Sequence, residues 1–310
     1  MENVKVAVVQ IAPVFLDQDK TWTKLAEYIR EATENGAELI AWGETLIPGY
    51  PQWLSVSGGA KFNDPDQKKA YSLYWEQSVE VAEPGKVQKG VVNEMCKLAA
   101  ELGVFLVGGV AERESGSTYA TILTIDNSGN LLGRHRKVKP TYEERLVWAD
   151  GDREGLITHD FLNMKLGSLN CWESWIPHMR IALHDQGENL HVSCWPGSLD
   201  LTQDISKFMA REGRSYIISA SGMLRSRDFV HLNIDDFPMK EVMMTKPYWQ
   251  NGGSMILNPK GEIISGPLVG EEGIIYAEVN LKMVIEERQN FDYSGHYSRP
   301  DIFPRYERNK

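Results

Sequence analysis

Short apolar runs alternate with amphipathic segments along most of the chain. Val4–Ile11 is rich in valine and isoleucine and predicts a buried strand. Within Asp17–Glu34 apolar residues recur at helical spacing, and Gly36 is suited to end that helix. The next apolar run, Leu39–Trp42, predicts a second short strand. The chain therefore begins with a strand, a helix and a strand.

The same reasoning divides the rest of the chain into further strands and helices. Two pairs of strands flank short polar turns, which is typical of hairpins. The predicted elements are a helix from Asp64 and Pro65, a helix over Gln88–Leu102, a strand over Val104–Ala111, a hairpin of Tyr119–Ile125 with Asn130–Arg134, a strand over Leu166–Asn170, a helix after Pro177, a strand over Leu190–Trp195, a helix near Ile205–Arg214, a strand over Tyr216–Ala220, a hairpin of Ser254–Leu257 with Glu262–Ile264, and a strand over Ile274–Val279. Because no flexible linker separates two halves, we expect one α/β domain over residues 1–310.

Composition and charge exclude several classes of protein. With 42% hydrophobic and 25% charged residues, the chain fits an ordinary globular protein and not a disordered or collagen-like one. The 33 basic and 43 acidic residues give a net charge of −10. Such a charge argues against nucleic acid and membrane surfaces as main partners, because phosphate-backbone binding needs a concentrated cationic surface.

The amino terminus and the cysteines predict a reducing compartment. The chain starts without the pattern of a secretory signal, and its longest apolar run is too short for a membrane helix. Cys96, Cys171 and Cys194 are odd in number and lack the spacing of a zinc site. We therefore expect a cytoplasmic protein with three free thiols.

Several common motifs of catalysis are missing from the sequence. It has no G-x-x-x-x-G-K-[ST] loop, no G-x-G-x-x-G after a strand, no G-x-S-x-G elbow and no H-E-x-x-H. These absences argue against nucleotide-dependent, serine-hydrolase and zinc-protease chemistry.

Three polar residues stand at the ends of predicted strands. Glu44 follows Leu39–Trp42, and Lys137 follows the first hairpin. Cys171 follows Leu166–Asn170. Each alone fits a plainer role, as a surface carboxylate, part of a basic sheet edge, or a small buried side chain. Together they supply a general base, a cation for developing negative charge, and a thiol nucleophile.

The neighbours of Lys137 and Cys171 predict their environments. On a strand, His135 and Lys137 share one face, so that this face can be buried while the other is solvated. The other face carries Arg134 and Arg136. A buried lysine would need a carboxylate partner. Because Cys171 precedes a predicted helix, we expect an exposed thiol whose pKa is lowered by the helix dipole.

The segments around these three residues carry a family resemblance. They are Trp42–Pro51 around Glu44, Arg136–Arg145 around Lys137, and Leu169–Glu173 around Cys171. In these segments the chain resembles the nitrilase superfamily, the carbon–nitrogen hydrolases with a Glu-Lys-Cys triad, and the likeness runs from Val4 to about Pro304. Further matches similar to the true nitrilase branch are Pro177–Arg180, His191–Pro196 and Gly295–Asp301. The departures are Trp42-Gly43, where the family usually has an aromatic or aliphatic residue followed by proline, Ala149 for a usual glycine, and His178 for a common leucine.

The resemblance implies a set of site residues. It assigns the general base to Glu44, the cation to Lys137, the nucleophile to Cys171, and an additional active-site carboxylate to Glu144. Five aromatic residues inside or beside the matched segments are candidates for substrate binding, although each also fits a core or an interface: Tyr50, Trp148, Trp172, Trp175 and Trp195.

The resemblance also implies an activity and an architecture. The activity is hydrolysis of an organic nitrile to the carboxylic acid and ammonia through a covalent cysteine intermediate, without a metal or organic cofactor. An amidase, carbamoylase or cyanide-converting enzyme with the same triad is the alternative, and a non-catalytic binding protein is a further one. The implied fold is a four-layer α-β-β-α sandwich with a short tail from about residue 302. The implied assembly is a homodimer or larger homo-oligomer, formed through helices such as the one after Pro177.

Overall fold

A computed structural model of the protein describes residues 3–305, which form two β-sheets covered by helices. The strands are β1 (Val4–Gln10), β2 (Leu39–Ile47), β3 (Phe105–Glu114), β4 (Ser117–Ile125), β5 (Leu131–Arg136), β6 (His159–Phe161), β7 (Met164–Asn170), β8 (Leu190–Trp195), β9 (Tyr216–Ser221), β10 (Met223–Arg225), β11 (Tyr248–Leu257), β12 (Ile263–Val269) and β13 (Gly273–Val279). The α-helices are α1 (Gln18–Glu34), α2 (Pro65–Gln77), α3 (Gly90–Leu102), α4 (Pro177–His184), α5 (Leu199–Gly213), α6 (Lys240–Met243) and α7 (Leu281–Arg288).

Each sheet has parallel strands at its centre. The first sheet has the order β13-β1-β2-β3-β4-β5, and β1, β2 and β3 run parallel. The second has the order β10-β11-β9-β8-β7-β6, with β12 paired to β11, and β7, β8 and β9 run parallel. The carboxyl ends of parallel strands lie at one edge of a sheet, where open α/β folds place their ligand sites. The chain segments just after β7 and near the end of β2 therefore lie where a site is expected.

The hydrophobic core has layers on both sides of each sheet. Helices α1 and α3 pack on the outer face of the first sheet through residues such as Leu25, Ile29 and Met95. The inner faces of the two sheets meet in a second layer. Its members include Val6, Val8, Ala41, Val107, Leu166, Val192 and Ile218. Helix α5 covers the second sheet through Ile205 and Met209. These layers confirm the four-layer α-β-β-α sandwich.

Most predicted elements are present, with changes at their ends. Gly103 ends α3 with φ of 69°, a left-handed conformation that suits glycine. Strand β2 continues to Ile47, so Glu44 lies within this strand and not after it. Short elements such as β6, β10 and α6 were not predicted from the sequence, because three or four residues do not complete a recognisable period.

Strands β1 and β13 and helix α7 contribute to the same part of the core. Val4, Val279 and Val284 share the layer between the sheets. Residues 306–310 of the predicted tail lie outside the described residues. Within residues 3–305, no helix has the length and apolar character that a membrane span requires.

Candidate active site

Glu44, Lys137, Cys171 and Glu144 meet in one buried cluster. The Lys137 ammonium donates hydrogen bonds to Glu44 Oε1 at 2.8 Å and to Glu144 Oε2 at 2.7 Å. The Cys171 sulfur and a carboxylate oxygen from each glutamate lie within 4.8 Å of one another. Lys137 thus has the carboxylate partners that a buried lysine requires.

An irregular segment of β2 positions Glu44. Trp42 pairs with Gly108 on β3 and Ile47 pairs with Val110, so four residues of β2 lie opposite one residue of β3. The intervening residue of β3, Gly109, is necessary because a Cβ there would lie 2.6 Å from Glu44 Cα. Such a bulge turns a side chain out of the regular alternation of the strand. Here the irregularity lies at the residue that accepts a hydrogen bond from Lys137.

Backbone hydrogen bonds hold Lys137 directly after β5. Its amide donates to the carbonyl of Ala120 at 2.8 Å, and its carbonyl accepts from the amide of Gly151 at 2.8 Å. The side chain of Asn170 also donates to the Ala120 carbonyl, at 3.3 Å. One carbonyl of the first sheet therefore binds both the residue that carries the ammonium and the residue that precedes Cys171.

Cys171 directly follows β7 and is the first residue of a short 3-10 helix, Cys171–Trp175. Its φ of 51° is in the left-handed region that cysteine rarely adopts, and such strain is concentrated at functional sites. The residue is only 3% exposed, so the prediction of an exposed thiol is wrong. The prediction of a lowered pKa is wrong too, because burial and the nearby Glu44 carboxylate raise the pKa of Cys171 well above its ordinary value. The backbone amide of Trp172 and the Lys137 ammonium oppose this shift without reversing it.

Glu144 is held by three donors. It lies in a 3-10 helix over Tyr142–Leu146, and the Thr141 amide donates to its Oε2 at 2.6 Å. The Tyr50 hydroxyl donates to its Oε1 at 2.9 Å, and Lys137 is the third donor. Burial raises the pKa of Tyr50 well above its ordinary value, which keeps this hydroxyl a neutral donor.

The electrostatic balance of the cluster gives Glu44 the character of a base. Burial raises the pKa of Glu44 to about 8, although Lys137 acts in the opposite direction. Burial also disfavours the charged form of Lys137, but Glu44, Cys171 and Glu144 together raise its pKa well above the ordinary value. Glu44 Oε2 is buried and has no hydrogen-bond partner among the described residues. This oxygen is available to accept a proton from the thiol, and a base of raised pKa suits a thiol of raised pKa.

The spacing of the two carboxylates and the thiol would also suit a metal ion. The ammonium of Lys137 already donates to both carboxylates. A cation placed between the same oxygens would face this fixed positive charge. The positive charge of the cluster therefore comes from Lys137.

The five candidate aromatic residues fall into two groups. Trp148 is buried, and its ring lies 5.6 Å from the Lys137 ammonium and edge-on to Tyr50. Trp195 is buried in a cluster that includes Cys171. Trp172 and Trp175 are each 42% exposed and stack on one another with ring centroids 5.8 Å apart.

The face of β5 that carries arginines is more buried than the sequence suggested. Arg136 is 8% exposed, and its guanidinium donates to Glu112 and lies 3.9 Å from the Tyr119 ring centroid. The prediction that this face is solvated is therefore wrong for Arg136. The buried carboxylate of Glu112 on β3 is the reason, because it pairs with the charge.

Two pairs of residues contribute to the site through contacts that the sequence did not predict. Gly108 and Gly109 on β3 leave room for the Trp42 ring and for the backbone of Glu44. Glu173 and His135 form a buried pair, with Glu173 Oε2 2.8 Å from His135 Nε2. The available signals were a pair of adjacent glycines inside an apolar strand and a charged residue two positions after the cysteine.

Comparison with known proteins defines the family. The carbon–nitrogen hydrolase family model matches residues 5–289. A protein named nitrilase 2, from an unidentified prokaryote, is 34% identical over 305 residues, which cover 97% of this chain and 91% of that protein. An aliphatic nitrilase of Rhodococcus rhodochrous is 32% identical over 312 residues, covering 97% of this chain and 78% of that protein.

Solved structures share the fold at lower identity. A nitrilase-superfamily member from Saccharomyces cerevisiae has a TM-score of 0.69 and 18% identity, covering 96% of this chain and 97% of its own. An amidase from Nesterenkonia sp. has a TM-score of 0.64 and 16% identity, covering 93% of this chain and 94% of its own. The chain belongs to the carbon–nitrogen hydrolase family, in the nitrilase superfamily, and is an enzyme that hydrolyses carbon–nitrogen bonds.

Proposed function

We propose that the protein is a nitrilase that converts an organic nitrile and two water molecules to a carboxylic acid and ammonia. The observation that supports this most is the Lys137 ammonium shared by Glu44 and Glu144, with the thiol of Cys171 beside them. The relatives named nitrilases over nearly the whole chain favour nitriles over amides as substrates.

The first half of the reaction forms a covalent thioimidate. Glu44 takes the thiol proton, and the Cys171 sulfur forms a bond to the nitrile carbon as one π bond of the nitrile breaks. Negative charge develops on the nitrile nitrogen. The Lys137 ammonium and the backbone amide of Trp172 stabilise this charge. Glu44 then passes the proton that it took from the thiol to the nitrogen, which returns Glu44 to the carboxylate. Glu144 and Tyr50 keep the ammonium oriented.

The second half releases both products. Water, deprotonated by Glu44, attacks the thioimidate carbon, and ammonia leaves to give a thioester. A second water attacks the thioester carbon. The carboxylic acid leaves, and the sulfur of Cys171 recovers its proton. Both halves use the same base and the same cation, and neither uses a metal or an organic cofactor.

The substrate side chain is expected to contact the aromatic residues that adjoin the cluster. Tyr50 and Trp148 adjoin the carboxylate and the ammonium, and Trp195 shares a cluster with Cys171. An aromatic lining suits an apolar or aromatic nitrile. A direct role for Trp172 and Trp175 stays a prediction. Smaller side chains at Trp172 should change the ranking of aliphatic against aromatic nitriles.

Substitution of the triad tests the assignment. We expect Cys171→Ala, Glu44→Gln and Lys137→Met each to abolish ammonia release from a nitrile panel in a protein that remains folded, because the three groups act as one unit. Cys96→Ala is the matched control, because this second buried cysteine lies on α3 and packs in the outer core layer. Undiminished ammonia release by Cys171→Ala would show that Cys171 is not the nucleophile.

Product analysis distinguishes a nitrilase from an amidase. The same panel, offered as nitriles and as the corresponding amides, is assayed for acid, amide and ammonia together. Acid and ammonia from the nitriles support the proposal. Turnover of amides alone would show that the protein is an amidase. The Nesterenkonia amidase, which has the same fold, is an enzyme of that type.

We also propose a homo-oligomer in the cytoplasm. Exposed apolar side chains occur next to the nucleophile turn and on α5, namely Trp172, Trp175, Leu201 and Phe208. Cys96, Cys171 and Cys194 are free thiols, which suits a reducing compartment. Light scattering coupled to size-exclusion chromatography measures the assembly.

A further inference from the structure

Glu173 accepts hydrogen bonds from three donors, of which His135 lies on β5, Val138 just after β5, and Asn170 at the end of β7. Its Oε1 accepts from the backbone amide of Val138 at 2.7 Å. Its Oε2 accepts from the backbone amide of Asn170 at 2.9 Å and lies 2.8 Å from His135 Nε2. Because an ionised carboxylate only accepts hydrogen bonds, Nε2 is the protonated nitrogen of His135. The carboxylate is 1% exposed.

The three donors are immediate neighbours of the reacting groups. Val138 directly follows Lys137, and His135 lies two residues before it. Asn170 directly precedes Cys171. One side chain therefore joins the segment around the end of β5, which Lys137 directly follows, to the end of β7, which Cys171 directly follows. Elsewhere the two sheets meet mainly through apolar side chains, which are less directional than hydrogen bonds.

The number of donors explains why a carboxylate is needed. An amide at this position has one acceptor oxygen and one NH₂ group. In either orientation its NH₂ would face a backbone N–H, at Val138 or at Asn170, that needs an acceptor. A buried donor left without an acceptor is costly, and the backbone can recover its hydrogen bond only by moving. Although burial acts against ionisation, His135 and the two amides lower the pKa of Glu173 below its ordinary value.

We propose that Glu173, with His135 as its partner, is a positioning residue that sets the distance between the Lys137 ammonium and the Cys171 thiol. The hydrogen bonds of its carboxylate are made to His135, Val138 and Asn170 and not to Lys137 or Cys171. The role rests on the proposed function, because it concerns the same reaction. It differs from the simpler role of capping the helix Cys171–Trp175, which would stabilise the fold without affecting the chemistry.

The first test compares Glu173→Gln with Glu143→Gln, a carboxylate-to-amide change at a partly exposed residue near the site. We expect Glu173→Gln to lower kcat by about 100-fold, the cost of misplacing reacting groups by roughly 1 Å. The KM should change by less than about twofold, because substrate contacts are kept. The control should keep the wild-type kcat. A lower melting temperature with unchanged kcat in Glu173→Gln would overturn the proposal. Glu173 would then only cap the helix Cys171–Trp175.

A second pair of variants keeps the test decisive if Glu173→Gln does not fold. His135→Leu leaves the carboxylate and both amide bonds and removes only the third donor. His135→Gln supplies a side-chain N–H again. We expect kcat to fall in the leucine variant and to recover in the glutamine variant. Equal loss in both, or loss in neither, would contradict the proposed role of His135.

A third readout is independent of the substrate. Alkylation of Cys171 by iodoacetamide, followed by peptide mass spectrometry to separate it from Cys96 and Cys194, reports the reactivity of the thiol. We expect slower alkylation of Cys171 in Glu173→Gln and an unchanged rate in Glu143→Gln. If wild-type protein hydrolyses neither nitriles nor amides, the proposed function fails, but this rate still tests the positioning. An unchanged rate in Glu173→Gln would overturn it.

Discussion

The raised pKa of Glu44 predicts that activity increases with pH through about 8. Burial is the main cause of this shift from an ordinary value of 4.5, and the carboxylates of Glu144 and Glu173 add to it. As a general base, Glu44 must be ionised in the free enzyme. A group of this pKa is ionised in about one-tenth of molecules at pH 7 and about nine-tenths at pH 9. We therefore expect kcat/KM to rise roughly tenfold between these values.

The assay is ammonia release from a neutral nitrile, so that only the enzyme titrates. The kcat/KM is measured from about pH 5.5 to 9.5, because this ratio reports ionisations of the free enzyme. Glu144→Gln should lower kcat and also move the acidic limb to lower pH, because it removes a negative charge that raises the pKa of Glu44. Glu143→Gln should leave the limb in place. If kcat/KM stays constant across neutral pH and falls only near pH 4.5, the pKa of Glu44 is not raised and the reasoning is refuted.

Three further predictions concern geometry, stability and assembly. Gly109→Ala should reduce activity and cost about 1–3 kcal/mol in denaturant unfolding, because its Cβ would lie 2.6 Å from Glu44 Cα; full activity would contradict this. Burial opposes ionisation of Glu188, but His191 and His184 lower its pKa to about 2. The stabilisation of the folded state by the ionised carboxylate should therefore be present above pH 4.5 and be lost as the pH falls towards 2. In Glu188→Gln, the free energy of unfolding measured in urea should depend less on pH over this range. An unchanged pH dependence would show that Glu188 is not its cause. Replacing Trp172 and Trp175 by serine should lower the mass measured by light scattering, and an unchanged mass would place the interface elsewhere.

Local sequence patterns were sufficient for most elements and for the candidates at the site. Alternation and helical spacing report which face of a segment is buried, so β1, α1 and α3 could be predicted from their own residues. The motif around Cys171 likewise lies within a few consecutive residues. The need of a buried Lys137 for a carboxylate partner followed from electrostatics alone. These properties depend on the chain near each residue.

Tertiary structure decided the properties that depend on distant segments. Lys137 and Glu44 are 93 residues apart, and no local pattern indicates that their side chains meet. The burial of Cys171 and the direction of its pKa shift follow from the surrounding layers and from Glu44, which reverse the expectation from the helix dipole. The position of Glu173 between the two sheets has the same origin. The sequence by itself determined which groups can react, and only the packing of the two sheets decided their distances and their charges, because solvent exclusion and Coulomb interactions depend on distance in space and not along the chain.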